Sequence, residues 1–192
     1  MKLTEDYFQK LKTLDLARNL IGKVFVHETK NGIIKGIINE TEAYIEEDEA
    51  SKTYLGKRTK QNSILYEKAG KLYIYLTYGM YYCSNIVSGK ENKGESVFIR
   101  SVIPIEGIEI IKKNRNWFKD NLKGLVDGPA KFSKGFNLNK NLNGYDIFKS
   151  NSKIYLEDLN FKPKKILNTT RIGISKGKHL KYRFYSENFF NL

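Results

Sequence analysis

The sequence holds few of the residues that build metal centres and cross-linked folds. Its 192 residues include one cysteine, Cys83, two histidines, His27 and His179, and three prolines. A lone cysteine excludes an internal disulfide framework and fits a reducing compartment. It reads as a small buried hydrophobe. Two histidines so far apart disfavour a histidine-based metal centre, and both are expected on the surface. No apolar run approaches the roughly 20 residues of a membrane span. The opening Met1-Lys2-Leu3-Thr4-Glu5-Asp6 lacks the apolar core of a signal peptide. No Gly-rich phosphate loop and no βαβ alternation is present.

Positive charge is abundant: 34 Lys and Arg against 21 Asp and Glu, a net +13. Such a surface attracts polyanions. The length favours one domain spanning residues 1–192.

Apolar spacing at Leu11, Leu14, Leu16, Ala17 and Leu20 predicts a helix over 4–20, ended near Gly22. Strands are expected over 23–27 and 33–44, joined by a hairpin at Asn31-Gly32. Further strands are read at 71–77, 82–87 and 97–103, the last stopped by Pro104. Helices are expected over 106–117 and, opening after Pro129, over 130–136. Late strands are read at 154–156, 171–174 and 182–185. The fold class is therefore α+β: mixed, with antiparallel strands and a few flanking helices.

Two segments stand out. Period-two alternation places Glu40, Glu42 and Tyr44 on one face of a strand, with Thr41 and Ala43 on the other. In the aromatic ribbon 71–86, Tyr73, Tyr75 and Thr77 share a face, and Tyr78-Gly79 begins a turn. Carboxylates repel DNA phosphates, whereas tyrosines stack on bases. The pairing suits an enzyme that extracts a base and turns a carboxylate on it. A solvated sheet face and a tyrosine-rich core are the plainer readings. A tyrosine or methionine at the turn could act as a wedge between base steps. Arg100, alone inside an apolar strand, needs a carboxylate partner; Glu42 and Glu40 both qualify. Lys57, Arg58 and Lys60 form a basic stretch suited to phosphate contacts. Glu46-Glu47-Asp48-Glu49 lacks the alternation and glycine of a calcium loop and reads as a solvated acidic loop.

Together these blocks resemble the alkyladenine (3-methyladenine) DNA glycosylases, the single-domain type of bacteria and mammals. The resemblance covers about 16–185. It rests on Leu16-Ala17-Arg18-Asn19-Leu20-Ile21-Gly22-Lys23, Glu40-Thr41-Glu42-Ala43-Tyr44, the ribbon from Tyr75 to Asn85, Arg100, and Asp127-Gly128-Pro129-Ala130-Lys131. Arg171-Ile172-Gly173 and Arg183-Phe184-Tyr185 match later segments. The resemblance implies a curved, open antiparallel β-barrel and hydrolytic excision of damaged purines flipped from duplex DNA.

By motif, Glu42 would activate the water and Arg100 would help fix it. Tyr44 and Tyr75 would sandwich the base, Asn85 would sit at the pocket floor, and Tyr78 would be the wedge with Met80 beside it. No metal, cofactor, membrane or obligate protein partner is implied. The implied state is a monomer in the cytoplasm, at the nucleoid. One position departs: Lys52 falls where the family has a histidine after Ala-Ser, with Thr53 the alternative alignment. A lysine there would repel a cationic alkylpurine and shift substrate range toward hypoxanthine or ethenoadenine. Two other readings compete: a non-catalytic module that stacks bases, and a metal-dependent hydrolase built on the acidic loop.

Overall fold

The computed structural model describes residues 1–190 and 192. Strands β1 (Val24–Thr29), β2 (Gly32–Tyr44), β3 (Leu72–Thr77), β4 (Tyr81–Val87), β5 (Ser96–Glu106) and β6 (Ile154–Glu157) form a curled antiparallel sheet in the order β3-β4-β5-β2-β1-β6. The short strands β7 (Leu167–Thr169) and β8 (Arg183–Tyr185) pair with each other, and β8 also pairs with β2. Helices α1 (Glu5–Gln9), α2 (Thr13–Asn19), α3 (Ile108–Arg115) and α4 (Pro129–Gly135) flank it. This is the open antiparallel half-barrel and α+β mixture expected. Among the described residues, no helix is long and apolar enough to cross a membrane.

The hairpin falls where Asn31-Gly32 predicts it, centred one residue earlier on Lys30-Asn31, because Thr29 already pairs with Gly32. Strand β2 is the spine. One edge pairs with β5 along its length; the other is shared between β1 up to Ile37 and β8 from Glu40 to Glu42. Glu40 and Glu42 therefore lie just past the hand-over, held between β5 and β8.

Behind the sheet, Leu16, Ala17 and Leu20 of the α2 segment bury with Val24, Ile34, Ile37, Ile38 and Ile99. Helix α4, with Pro129 in its first turn, packs Phe132 and Phe136 against Phe25, at 5.2 and 5.7 Å between ring centroids. Such edge contacts add about 1 kcal/mol each beyond area burial. A hydrogen bond of 2.9 Å between Ser133 and Ser84 ties α4 to β4.

Four expectations need correction. The helix over 4–20 is two helices, because Lys12 is extended and Thr13 is tied by its hydroxyl to buried Ser88 and Glu95. Pro104 does not stop β5. It sits where the register with β2 shifts, since Gly36 pairs with Pro104 while Lys35 pairs with Glu106; a bulge tolerates the missing donor. Residues 171–174 are irregular, and the strand lies earlier at β7. His27 is buried, with Nδ1 2.7 Å from the Phe136 carbonyl, and burial lowers its pKa. That carbonyl, donated by a distant helix end, is invisible in the local pattern. His179 is exposed as expected.

Candidate active site

The site begins with a mismatch between β2 and β5. Ser101 faces Glu40 and Ile99 faces Thr41, leaving Arg100 unpaired in the ladder. A bulge of this kind bends a strand and re-aims a side chain. Here it swings Arg100 toward both candidate carboxylates. Arg100 Nε donates to Glu40 Oε1 at 2.8 Å, and Nη1 lies 3.1 Å from Glu42 Oε1. Glu40 also accepts from Arg183 Nε at 2.6 Å. The partner question is thus answered both ways, and Glu40 becomes a hub between two arginines.

Glu42 has no solvent exposure. Its Oε1 also accepts the Ile172 N–H at 3.0 Å, and its Oε2 accepts the Tyr44 hydroxyl at 2.8 Å. Burial raises its pKa above the ordinary carboxylate range; Arg100, the Ile172 N–H and the Tyr44 hydroxyl pull back, and Glu40 adds to the rise. A carboxylate whose pKa is raised by burial is a stronger base than one in water.

Beside it opens a cavity of about 380 Å³. Tyr44, Lys52, Tyr73, Tyr75, Tyr78, Asn85 and Arg100 line it, with Pro129 and Ala130 from the start of α4 and Ile172 to Ile174. Glu42 does not line it; Tyr44, Arg100 and Ile172 do. The tyrosine face of the ribbon points inward as its alternation predicts. Tyr73 and Tyr75 stack at 5.4 Å, and burial pushes the Tyr73 hydroxyl up to about 12. Asn85 is buried and donates to the Tyr73 carbonyl at 3.3 Å. Cys83, buried as expected, is the cross-strand partner of Tyr75. Lys52 holds its ammonium 4.3 Å from the Tyr75 ring centroid, a cation–π contact on the wall itself.

The turn between β3 and β4 borders the cavity through Tyr78 and is otherwise open to solvent. Tyr78 and Gly79 both carry positive φ, +50° and +68°, and Met80 N–H bonds to the Thr77 carbonyl at 3.2 Å. That is the pairing of angles a type I′ turn demands, and it is costly for a tyrosine. Tyr78 is 82% exposed and Met80 65%. Lys57 and Lys60 are exposed. Arg58 is exposed as well, but it lies 3.9 Å over the Tyr66 ring and donates to the Asn92 carbonyl at 3.2 Å.

The acidic loop is not simply solvated. Asp48 is fully buried against Arg171, Glu46 accepts the Gly94 N–H at 2.6 Å, and Glu47 lies 3.6 Å from Lys93. Three of its four carboxylates thus go to separate partners, and Glu49 is exposed. The linear sequence shows none of this, because Asp48 and Arg171 are 123 positions apart. Only the match of Arg171-Ile172-Gly173 to a family block signalled that the segment matters.

Comparison with known proteins identifies the family. The family described as "Methylpurine-DNA glycosylase (MPG)" matches residues 6–189. A protein of Francisella tularensis subsp. tularensis, strain SCHU S4, named "Putative 3-methyladenine DNA glycosylase", is 43% identical over 178 residues, covering 92% of this chain and 91% of its own. One of the same name from Clostridium botulinum, strain Hall, is 39% identical over 195 residues, covering 96% and 95%. The chain belongs to the methylpurine-DNA glycosylase family and is a DNA glycosylase.

Proposed function

We propose that this chain, acting as one domain and as a monomer, excises damaged purines flipped from duplex DNA into the 380 Å³ cavity. The observation that carries the reading is Glu42: a fully buried carboxylate held by Arg100, the Ile172 N–H and the Tyr44 hydroxyl, directly behind a tyrosine-walled cavity. A generic sheet carboxylate has no reason to bear that desolvation. In the proposed reaction Glu42 takes the proton of a water whose oxygen bonds to the sugar C1′. The C1′–N bond breaks with its electrons on the base, and the Glu42 charge stabilises the oxocarbenium-like sugar. Glu42 is sealed by direct contacts from Arg100, the Ile172 N–H and the Tyr44 hydroxyl, so the water must displace one of them.

Tyr44 and Tyr75 stack the flipped base, and Asn85 lies at the pocket floor. Tyr78 fills the gap left in the duplex with Met80 beside it. Lys57, Arg58 and Lys60 meet phosphates. The exposed, strained Tyr78 supports the wedge role. Lys52 sets the lesion class. Its ammonium already lies over the Tyr75 ring, where it repels a cationic purine and offers donors to a neutral one. Neutral lesions such as hypoxanthine and ethenoadenine are therefore the preferred substrates. The proposed location is the cytoplasm, at the nucleoid.

The test is base release from duplexes that each carry one hypoxanthine, ethenoadenine or alkylated purine, with hot alkali to reveal abasic sites. Alkali-dependent cleavage, fastest for the neutral lesions, is the expected result. Tight binding with no release from any lesion would favour the base-stacking module instead.

A further inference from the structure

Arg171 and Asp48 line no part of the cavity. Both side chains are fully buried. Arg171 Nη2 donates to Asp48 Oδ1 at 2.8 Å, while Nη1 donates to Asp48 Oδ2 and, at 2.9 Å, to the Ala43 carbonyl. The guanidinium carbon lies 4.6 Å from the Tyr44 ring centroid and 5.3 Å from that of Tyr182. A buried ion pair is weak evidence for stability, since apolar residues of similar volume often serve as well. What distinguishes this one is the set of parts it joins.

We propose that Arg171, held by Asp48, is a positioning residue that sets the Glu42 carboxylate and the Tyr44 ring for base excision. The inference rests on the glycosylase reading above. Ala43 lies between Glu42 and Tyr44. Its N–H bonds to the Tyr182 carbonyl at 2.8 Å, and its carbonyl takes the Arg171 donor. Pairing of β8 with β2 ends at Arg183 opposite Glu42. From there the guanidinium supplies the donor that a continuing strand would have supplied. The next residue, Ile172, gives its N–H to Glu42 at 3.0 Å, so locating Arg171 locates that donor.

Asp48 does the same for the opposite wall. Its Oδ1 accepts the Ala50 N–H at 3.0 Å and its carbonyl the Ser51 N–H at 2.8 Å. Fixing Asp48 therefore places Ala50, Ser51 and Lys52 along the cavity. Gly177 closes over the pair: a Cβ there would lie 2.7 Å from Asp48 Oδ1 and 3.1 Å from Arg171 Nη2. One ion pair thus staples two cavity walls to the catalytic strand. Lysine keeps the charge but cannot reproduce the planar fork.

Arg171→Lys tests this. Single-turnover base release at saturating enzyme reads the chemistry of the folded fraction, and lesion-duplex Kd reads binding. The expected result is release slowed by about tenfold or more, since small misplacements of reacting groups are costly, with Kd for undamaged DNA changed less than twofold. A lower Tm with release at saturation unchanged would assign the pair a merely structural role and overturn the inference. If Arg171→Lys does not fold, Asp48→Asn reads the same quantity, and an unchanged rate there overturns it equally. Wild-type protein that releases no base would sink the glycosylase reading itself. A fast wild type with an equally fast variant would sink only the positioning role.

Discussion

Two regions of this protein treat their unfavourable groups in opposite ways. Around Glu42, charges are taken out of water and every one is matched: Arg100 and Arg183 meet Glu40, Arg100 also meets Glu42, and Arg171 meets Asp48. At the β3–β4 turn, apolar surface is left in water and a tyrosine is held at positive φ, matched by nothing. In the first region each buried charge has an opposite charge beside it, although the buried Arg171 Nε has no hydrogen-bond partner among the described residues. The second is tolerable because its cost is local, of order 1–3 kcal/mol, and the buried root of the same hairpin carries it. The difference separates two demands of base excision. Chemistry needs preorganised charge, whereas opening a duplex needs something protruding and apolar.

Breaking the charge network should do the most damage. Arg100→Ala leaves Glu42 with a buried, poorly matched charge and should cost about 3 kcal/mol of stability, read by urea denaturation, together with most of the base-release rate. The exposed turn should behave in reverse. Tyr78→Ala should leave stability within about 0.5 kcal/mol, yet slow release from a paired lesion about tenfold while sparing a lesion in single-stranded DNA, where nothing needs unstacking. Equal losses on both substrates would remove the wedge role.

A pH profile sharpens the comparison. Burial raises the Glu42 pKa, and the proposed reaction needs its charged form. Release should therefore climb as pH rises through a value above the ordinary carboxylate range and level off beyond it, with the acidic limb at lower pH if Glu42 were exposed. The smallest effect is expected at the basic loop. Lys60→Gln should reduce the slope of log affinity against log salt by about 0.9 if Lys60 meets one phosphate, with release at saturating enzyme unchanged.

Much of this was legible in the chain because it is local. Period-two alternation alone put Glu40 and Glu42 on one face and Tyr73 and Tyr75 on another, and the structure keeps both arrangements. Pro129 opened α4 where proline belongs. Arg100 announced a carboxylate partner because an arginine in an apolar strand requires one. The misreadings share a cause in long-range contacts. Thr13 breaks the first helix because Ser88 and Glu95 hold its hydroxyl. His27 is buried by a carbonyl from the end of α4. Pro104 survives inside β5 because it sits at the register shift between Lys35 and Gly36. Asp48 looks like solvated loop until Arg171 arrives from the other end of the chain. The pairing of Glu40 with Arg183 and the role of the Ile172 N–H were hidden likewise, since each depends on which distant segment closes the edge of β2.

The central claim is that Glu42 activates the water, and single-turnover base release by Glu42→Gln beside wild type tests it most directly. Glutamine keeps the shape and cannot take the proton. The fold should persist, because burial disfavours the charged form of Glu42 in the native state. The account predicts unchanged binding to lesion DNA and a fall in release on the order of 10² to 10⁴. Release within a few fold of wild type would contradict it and move the chemistry to another group.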